Sequence, residues 1–107
     1  MFNVYTFFMD VLYRYEGLEF VWNAQKAAAN IAKHHVRFEQ ACEVFVDPLL
    51  RLQDAGGDDE ARDAVIGVTE HGRLLFVVHI EQDDIAIRII SAREATAREK
   101  KDYEDYA

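Results

Sequence analysis

The chain has 107 residues, half of them hydrophobic, which is enough for one domain with one core and too few for two. Its single cysteine, Cys42, excludes a disulfide framework and fits a reducing cytoplasm; no Cys or His cluster sits at ligand spacing, so neither a metal nor a cofactor is expected. The formal net charge of −8 argues against indiscriminate binding of nucleic acid, suits a basic protein partner, and still allows a local cationic site.

Residues 1–17 read as an N-terminal extension and 18–107 as the domain proper. Met1 to Met9 is apolar, but it lacks a basic start, contains Asn3 and stops at Asp10, so it is too short to span a bilayer. It reads as an extra strand, a docking segment, or a start placed too early, with Met9 as the alternative start. Leu18 to Trp22 alternates and predicts a short strand, with Asn23 as the cap of the next helix. Ala24 to His35 is rich in helix formers, and Ala27 and Ile31 lie on an apolar stripe. Phe38, Ala41, Cys42 and Phe45 recur at helical spacing and predict a second helix over Phe38 to Val46, ended by Asp47-Pro48. Leu49 to Gln53 reads as a short strand and Asp54 to Glu60, with Gly56-Gly57, as an acidic loop, solvated rather than metal-binding. Three strand-like runs follow, Arg62 to Thr69, Leu74 to Ile80 and Ile85 to Ser91, with His71-Gly72 and Gln82-Asp83 at two-residue hairpin spacing. Glu94 to Tyr106 predicts a polar helix with few apolar positions, expected to pack weakly. A strand, two helices, an antiparallel meander and a last helix make an α+β domain.

Two-residue turns pair Glu70 with Arg73 and Glu81 with Asp84. Ile66 then opposes Val77, and Val77 opposes Arg88. That register turns Leu74, Phe76, Val78, Ile80, Ile85, Ile87 and Ile89 toward the helices. It leaves Arg62, Ala64, Ile66, Val68, Leu75, Val77, His79, Ala86, Arg88 and Ile90 on the other face. Two arginines and a histidine would share that face, although a one-residue slip reverses any strand. Each cation also has a plain structural role available. Arg88 suits an ion pair at the sheet rim, His79 a hydrogen-bonded strand end, and Lys33-His34-His35 a helix C-terminus where positive charge meets the dipole. No nucleotide-binding glycine loop, nucleophile elbow or metalloprotease helix is present.

Three segments taken together go further. They are Phe20-x-Trp22-Asn23-x-x-Lys26-x-x-x-Asn30-x-x-Lys33-His34, then Phe38-Glu39-x-Ala41-x-x-Val44-Phe45-x-Asp47-Pro48, then Arg88-Ile89-Ile90-Ser91-Ala92-Arg93-x-Ala95-Thr96-x-x-Glu99-x-x-x-Tyr103. In this order and spacing the chain, from Phe20 to Tyr103, resembles the BrnT family of type II toxins. The resemblance implies a small RelE-like fold and ribonuclease activity that blocks translation. It also implies a BrnA-type antitoxin, a ribbon-helix-helix protein that binds the operator DNA, so that this chain meets DNA only indirectly. Asn23-Ala24 replaces the family's usual Asp-Pro, and His35 replaces the glycine that usually follows its Lys-His. Glu60-Ala61-Arg62 stands for its Glu-Glu-Arg, and the family tends to be less acidic.

A metal-free ribonuclease needs a 2′-hydroxyl poised against its phosphate, a proton acceptor, a proton donor and cations for the added charge. Arg62 and Arg88 are the expected phosphate clamps, because the guanidinium fork is planar and always charged. Lys33 and His34 are further catalytic candidates, His34 because its charge changes near neutral pH. Arg93, His79 and Tyr103 are the substrate-binding candidates, with Arg93 holding phosphate or capping the last helix and Tyr103 packing on the sheet in preference to stacking on a base. Replacing Arg88 by Ala is expected to cost no more than roughly ±0.5 kcal/mol of stability if the side chain is exposed. The competing function is an inactive homologue that only binds its antitoxin. A DNA-binding module is disfavoured, because no helix carries a basic face for a groove. A cytoplasmic protein without membrane contact is expected.

Overall fold

Alternating apolar residues build one six-stranded sheet, and two apolar-faced helices cover one side of it. This computed structural model describes residues 9–55, 62–82 and 84–105. In chain order the elements are β1 (Asp10–Tyr15), β2 (Leu18–Asn23), α1 (Ala24–His34), α2 (Phe38–Glu43), a 3-10 turn (Val44–Val46), β3 (Arg51–Asp54), β4 (Asp63–Val68), β5 (Leu74–Gln82), β6 (Ala86–Glu94) and α3 (Ala97–Glu104). The strand order is β1-β2-β6-β5-β4-β3. Neighbours run antiparallel except β2 and β6, which run parallel, with Phe20 beside Ile87 and Val21 beside Arg88. The α+β class and the expected sequence of strand, helices, meander and helix hold. The acidic loop around Gly56 to Ala61 and the segment before Met9 lie outside the described residues.

One element was not expected. Residues 10–15, assigned from sequence to an extension, are the first strand of the same sheet. The hairpin to β2 turns through Glu16 (φ 51°) and Gly17 (φ 81°), the left-handed pair that matches strand twist in a two-residue loop. On the helix side of this hairpin Val11, Tyr13 and Tyr15 pack against the core, and Tyr13 lies 5.5 Å from Trp22 between ring centroids.

Asn23 caps α1 as expected, its Oδ1 accepting from the Lys26 amide at 3.0 Å. At the other end His35 adopts the left-handed conformation (φ 58°) where glycine is the usual residue, and its amide reaches the Ile31 carbonyl at 2.8 Å. Asn30, the buried residue of α1, is tied to β6: its amide donates to the Ala92 carbonyl at 2.8 Å and its Oδ1 accepts from the Ala92 amide at 3.1 Å. The helical turn after α2 narrows to 3-10 geometry over Val44–Val46, where the sequence predicted continuous helix. Gly67 of β4 accounts for the close approach there, since a Cβ at that position would stand 2.9 Å from both the Val44 Cβ and its carbonyl oxygen.

The meander departs from the expected register. Thr69 pairs with Arg73 around a three-residue loop, Glu70 to Gly72, with Gly72 at φ 84°. Val65 therefore meets Val77, and Ile66 meets Phe76. That single step reverses every side chain of β5. Leu75, Val77 and His79 face the helices, and Phe76 faces away. In the second hairpin Val77 meets Ala92, and β5 runs to Gln82 opposite Ala86 rather than turning at Gln82-Asp83. A bulge opposite Val78 and His79 leaves Ile90 unpaired, so that Ala92 and Ile89 both reach the core. The expected placement of Ile87 and Ile89 toward the helices, and of Ala64, Ile66 and Arg88 away from them, stands. The core is Phe20, Trp22, Val36, Phe38, Val44, Val65, Leu75, Val77 and Ile89 with smaller neighbours, each large side chain worth roughly 1.5–3 kcal/mol on burial.

The last helix is held more firmly than its composition predicts. Across the face away from α1 and α2, Arg51, Ile66, Phe76 and Arg93 form one row through four strands. The outer two grip α3: Arg51 Nη1 donates to the Asp102 carbonyl at 2.9 Å, and Arg93 makes a two-pronged pair with Glu99 at 2.8 and 2.9 Å. Thr96 and Glu99 cap the helix reciprocally, the Glu99 amide donating to Thr96 Oγ1 at 3.2 Å and the Thr96 amide to Glu99 Oε1 at 2.9 Å.

Candidate active site

Arg88 projects from β6 on the face away from α1 and α2, level with Val21 and Ile80. Its guanidinium is fully oriented. Nη1 and Nη2 donate to the two carboxylate oxygens of Asp10 at 3.3 and 2.9 Å, and Nε donates to Gln82 Oε1 at 3.1 Å. Both side chains are largely enclosed, 23% exposed for Arg88 and 16% for Asp10. Neither Asp10 nor Gln82 was singled out from the sequence. Asp10 sits in the segment taken for an extension, and Gln82 was placed in a turn. The readable signal was the Val11 to Tyr15 alternation followed by Glu16-Gly17, which marks a hairpin.

Arg62 lies exposed just before β4. Continuing the β4 register by one position sets it level with Ile80 and so with Arg88, two strands away or about 10 Å. These two arginines are the part of the expected site that the fold keeps on one side.

The other expected residues are elsewhere. Lys33 and His34 end α1 on the helix-covered side, where Asn30 of the same helix is fixed to Ala92. Ala92 is four residues from Arg88, about 13 Å along the strand and on the opposite face. Arg73, expected only as the residue opposite Glu70 across the first turn, joins three parts of this end. It donates to the His35 carbonyl and to Gln40 Oε1, both at 3.3 Å, and pairs with Glu94 at 3.5 Å.

His79 corrects the expectation that it shares a face with Arg88. It is 5% exposed and lies on the helix side, edge-on to Phe45 at 5.0 Å between ring centres. Burial lowers its pKa, and the carboxylates of Asp63 and Glu81 oppose that only in part. Its Nδ1 is buried without a hydrogen-bond partner among the described residues. A neutral imidazole in an aromatic pocket fits these facts.

Arg93 and Tyr103 are both engaged inside the fold. Arg93 lies over the Phe76 ring at 4.3 Å and is paired with Glu99, whose carboxyl that bond holds below its usual range. Tyr103 is buried and donates its hydroxyl to Asp47 Oδ2 at 2.6 Å. Burial, and then that bond, push its pKa up to about 12. Asp47 also accepts the Val68 and Leu49 amides, each at 2.9 Å. Burial alone would raise the Asp47 carboxyl, but these three hydrogen bonds outweigh it and hold the pKa low. The Asp47-Pro48 segment therefore fastens α3 to β4 in addition to ending the second helical segment.

Cys42 is buried, and burial pushes its thiol well above the ordinary range, which leaves it unreactive. Among the described residues no group of three or more His, Cys, Asp or Glu is arranged to hold a metal, and no helix is long and apolar enough to cross a membrane.

Comparison with known proteins bears on this arrangement. No curated protein matches the chain. The crystal structure of the Brucella abortus ribonuclease toxin BrnT superposes with a TM-score of 0.56 at 22% identity, covering 70% of this chain and 92% of that one. At that identity the likeness establishes a shared fold. The sequence model described as "Ribonuclease toxin, BrnT, of type II toxin-antitoxin system" matches residues 22–99, from the end of β2 into α3. With that match over most of its length, the chain belongs to the BrnT family of ribonuclease toxins of type II toxin–antitoxin systems.

Proposed function

We propose that this protein is a cytoplasmic, metal-independent endoribonuclease that cleaves RNA, halts translation, and is neutralised by a BrnA-type ribbon-helix-helix antitoxin. Operator DNA is reached only through that antitoxin. The observation that carries the reading is the family match across residues 22–99. The oriented Arg88 fork, with Arg62 on the same side, supports the location of the site. A guanidinium whose Nε is held by Gln82 is suited to the charge that develops as the 2′-hydroxyl oxygen bonds to phosphorus and the 5′-oxygen leaves. Lys33 and His34 stand too far from Arg88 to serve the same phosphate, so in this reading they contact the RNA at a separate place. The test is cleavage of RNA by the purified protein in excess chelator. Cleavage lost on Arg88→Ala is expected. Cleavage that requires added metal, or that survives Arg88→Ala at the unmodified rate, defeats the reading.

One observation favours a second reading. Two of the expected RNA-contacting cations, Arg88 and Arg93, are already paired with Asp10 and Glu99, and the chain carries a net charge of −8. A homologue that only sequesters antitoxin would show such neutralised cations. No cleavage at any concentration, with tight antitoxin binding, identifies that case.

A further inference from the structure

Carboxylate and phosphodiester groups each present two oxygens that fit the same pair of parallel guanidinium N–H bonds. On Arg88 the end of the fork, Nη1 and Nη2, is taken by Asp10, and Nε is taken by Gln82. An RNA phosphate aimed at that fork meets a site already holding an anion. The anion comes from β1, which among the described residues is an edge strand paired only with β2, and from its first residue, so that local opening at the start of the strand releases it. Past Asp10 the same face of β1 is barely packed, with Leu12 76% exposed. Asp10 also lies outside residues 22–99, the span matched by the family.

We propose that β1 is an autoinhibitory strap whose Asp10 carboxylate occupies the phosphate subsite of Arg88. This rests on the reading of Arg88 as the phosphate clamp. RNA binds the fraction of molecules in which Asp10 has left the fork, and the apparent affinity is lowered by that fraction. An antitoxin or another ligand that holds β1 down would deepen the inhibition, and one that lifts the strand would relieve it.

The probe is a short 2′-O-methyl oligoribonucleotide, which carries phosphates but no 2′-hydroxyl to react, with binding read by fluorescence anisotropy. Asp10→Asn keeps the shape and removes the charge, and it is expected to bind about tenfold tighter, within the usual range for coupled equilibria. Gly17→Ala strains the β1–β2 turn at φ 81° in open space and leaves Asp10 intact. It is expected to shift binding the same way, and it decides the matter if Asp10→Asn does not fold. Arg88→Ala and Asp10→Asn/Arg88→Ala should bind equally weakly. Arg88→Ala binding as tightly as the unmodified protein removes the clamp reading and this inference with it. Weakened binding by Arg88→Ala together with unchanged or weaker binding by Asp10→Asn keeps the clamp and overturns the strap, making Asp10 a positioning residue. A gain from Asp10→Asn that persists without Arg88 reflects overall charge and also overturns it.

Discussion

The guanidinium of Arg88 is held on both sides, by Asp10 and by Gln82. From sequence its plain role is an ion pair at the sheet rim, with little stability at stake if the side chain is exposed; in the fold it is largely enclosed and paired with Asp10. Arg88→Ala leaves that carboxylate half-buried without a partner, so the expected cost rises to about 1–2 kcal/mol after allowance for solvent screening. The variant should still fold, with a lower melting temperature, and should lose RNA cleavage by about 10²–10³-fold. Arg62→Ala should also lose cleavage. A melting temperature unchanged by Arg88→Ala would mean that the Asp10 pair contributes nothing. Two other residues give a pH signature. Burial disfavours charge on His79, so the unfolded chain takes up that proton at higher pH than the folded one. This contribution is full above about pH 6.5 and is lost as pH falls below it. Asp47 is depressed in the folded state, so its contribution is kept above about pH 3.9 and lost as pH falls through its lower folded value. Melting temperatures from pH 8 to 3 should fall in two stages. His79→Phe should flatten the first stage and Tyr103→Phe should weaken the second; a profile identical in all three proteins rejects the assignment.

At the scale of elements, most of the ladder was legible, including the faces of β4 and much of β6, and the facing of β5 was not. The positions of α1, α2 and β4 to β6 follow from periodicity, which depends only on local spacing. The register of β4 against β5 depends on whether His71-Gly72 or Glu70-His71-Gly72 forms the loop. One residue there exchanges Leu75, Val77 and His79 with Leu74, Phe76 and Val78. Both faces of β5 are apolar because α3 covers part of the second, so hydrophobicity offered no correction. The Asp10 to Arg88 pair was equally hidden, since 78 residues separate its members. Gly67 belongs to this scale because it sets how closely the 3-10 turn meets β4. Gly67→Ala should push against Val44 and cost about 1–3 kcal/mol, unless the turn shifts to absorb it. Thermal denaturation measures this directly, and an unchanged midpoint would show that the turn yields freely.

The whole molecule carries its charge unevenly between function and bulk. A net charge of −8 disfavours RNA at a distance and favours a basic partner, so association with the antitoxin should be fast and should slow as salt rises. Stopped-flow association rates that ignore ionic strength would separate recognition from this overall charge. The parallel pairing of β2 with β6 has a consequence in time. It joins residues 20–21 to 87–88, and β1 reaches the rest of the sheet only through β2. During synthesis the first hairpin can pack on α2 early but cannot join the rest of the sheet until β6 has emerged, and a long loop must close before that contact contributes. The ribosome releases the parts of the site in sequence, with Asp10 long before Arg88. A nascent chain does not have Arg88 and Asp10 paired until β6 has emerged, which leaves a window for a partner to engage the toxin before its sheet is complete.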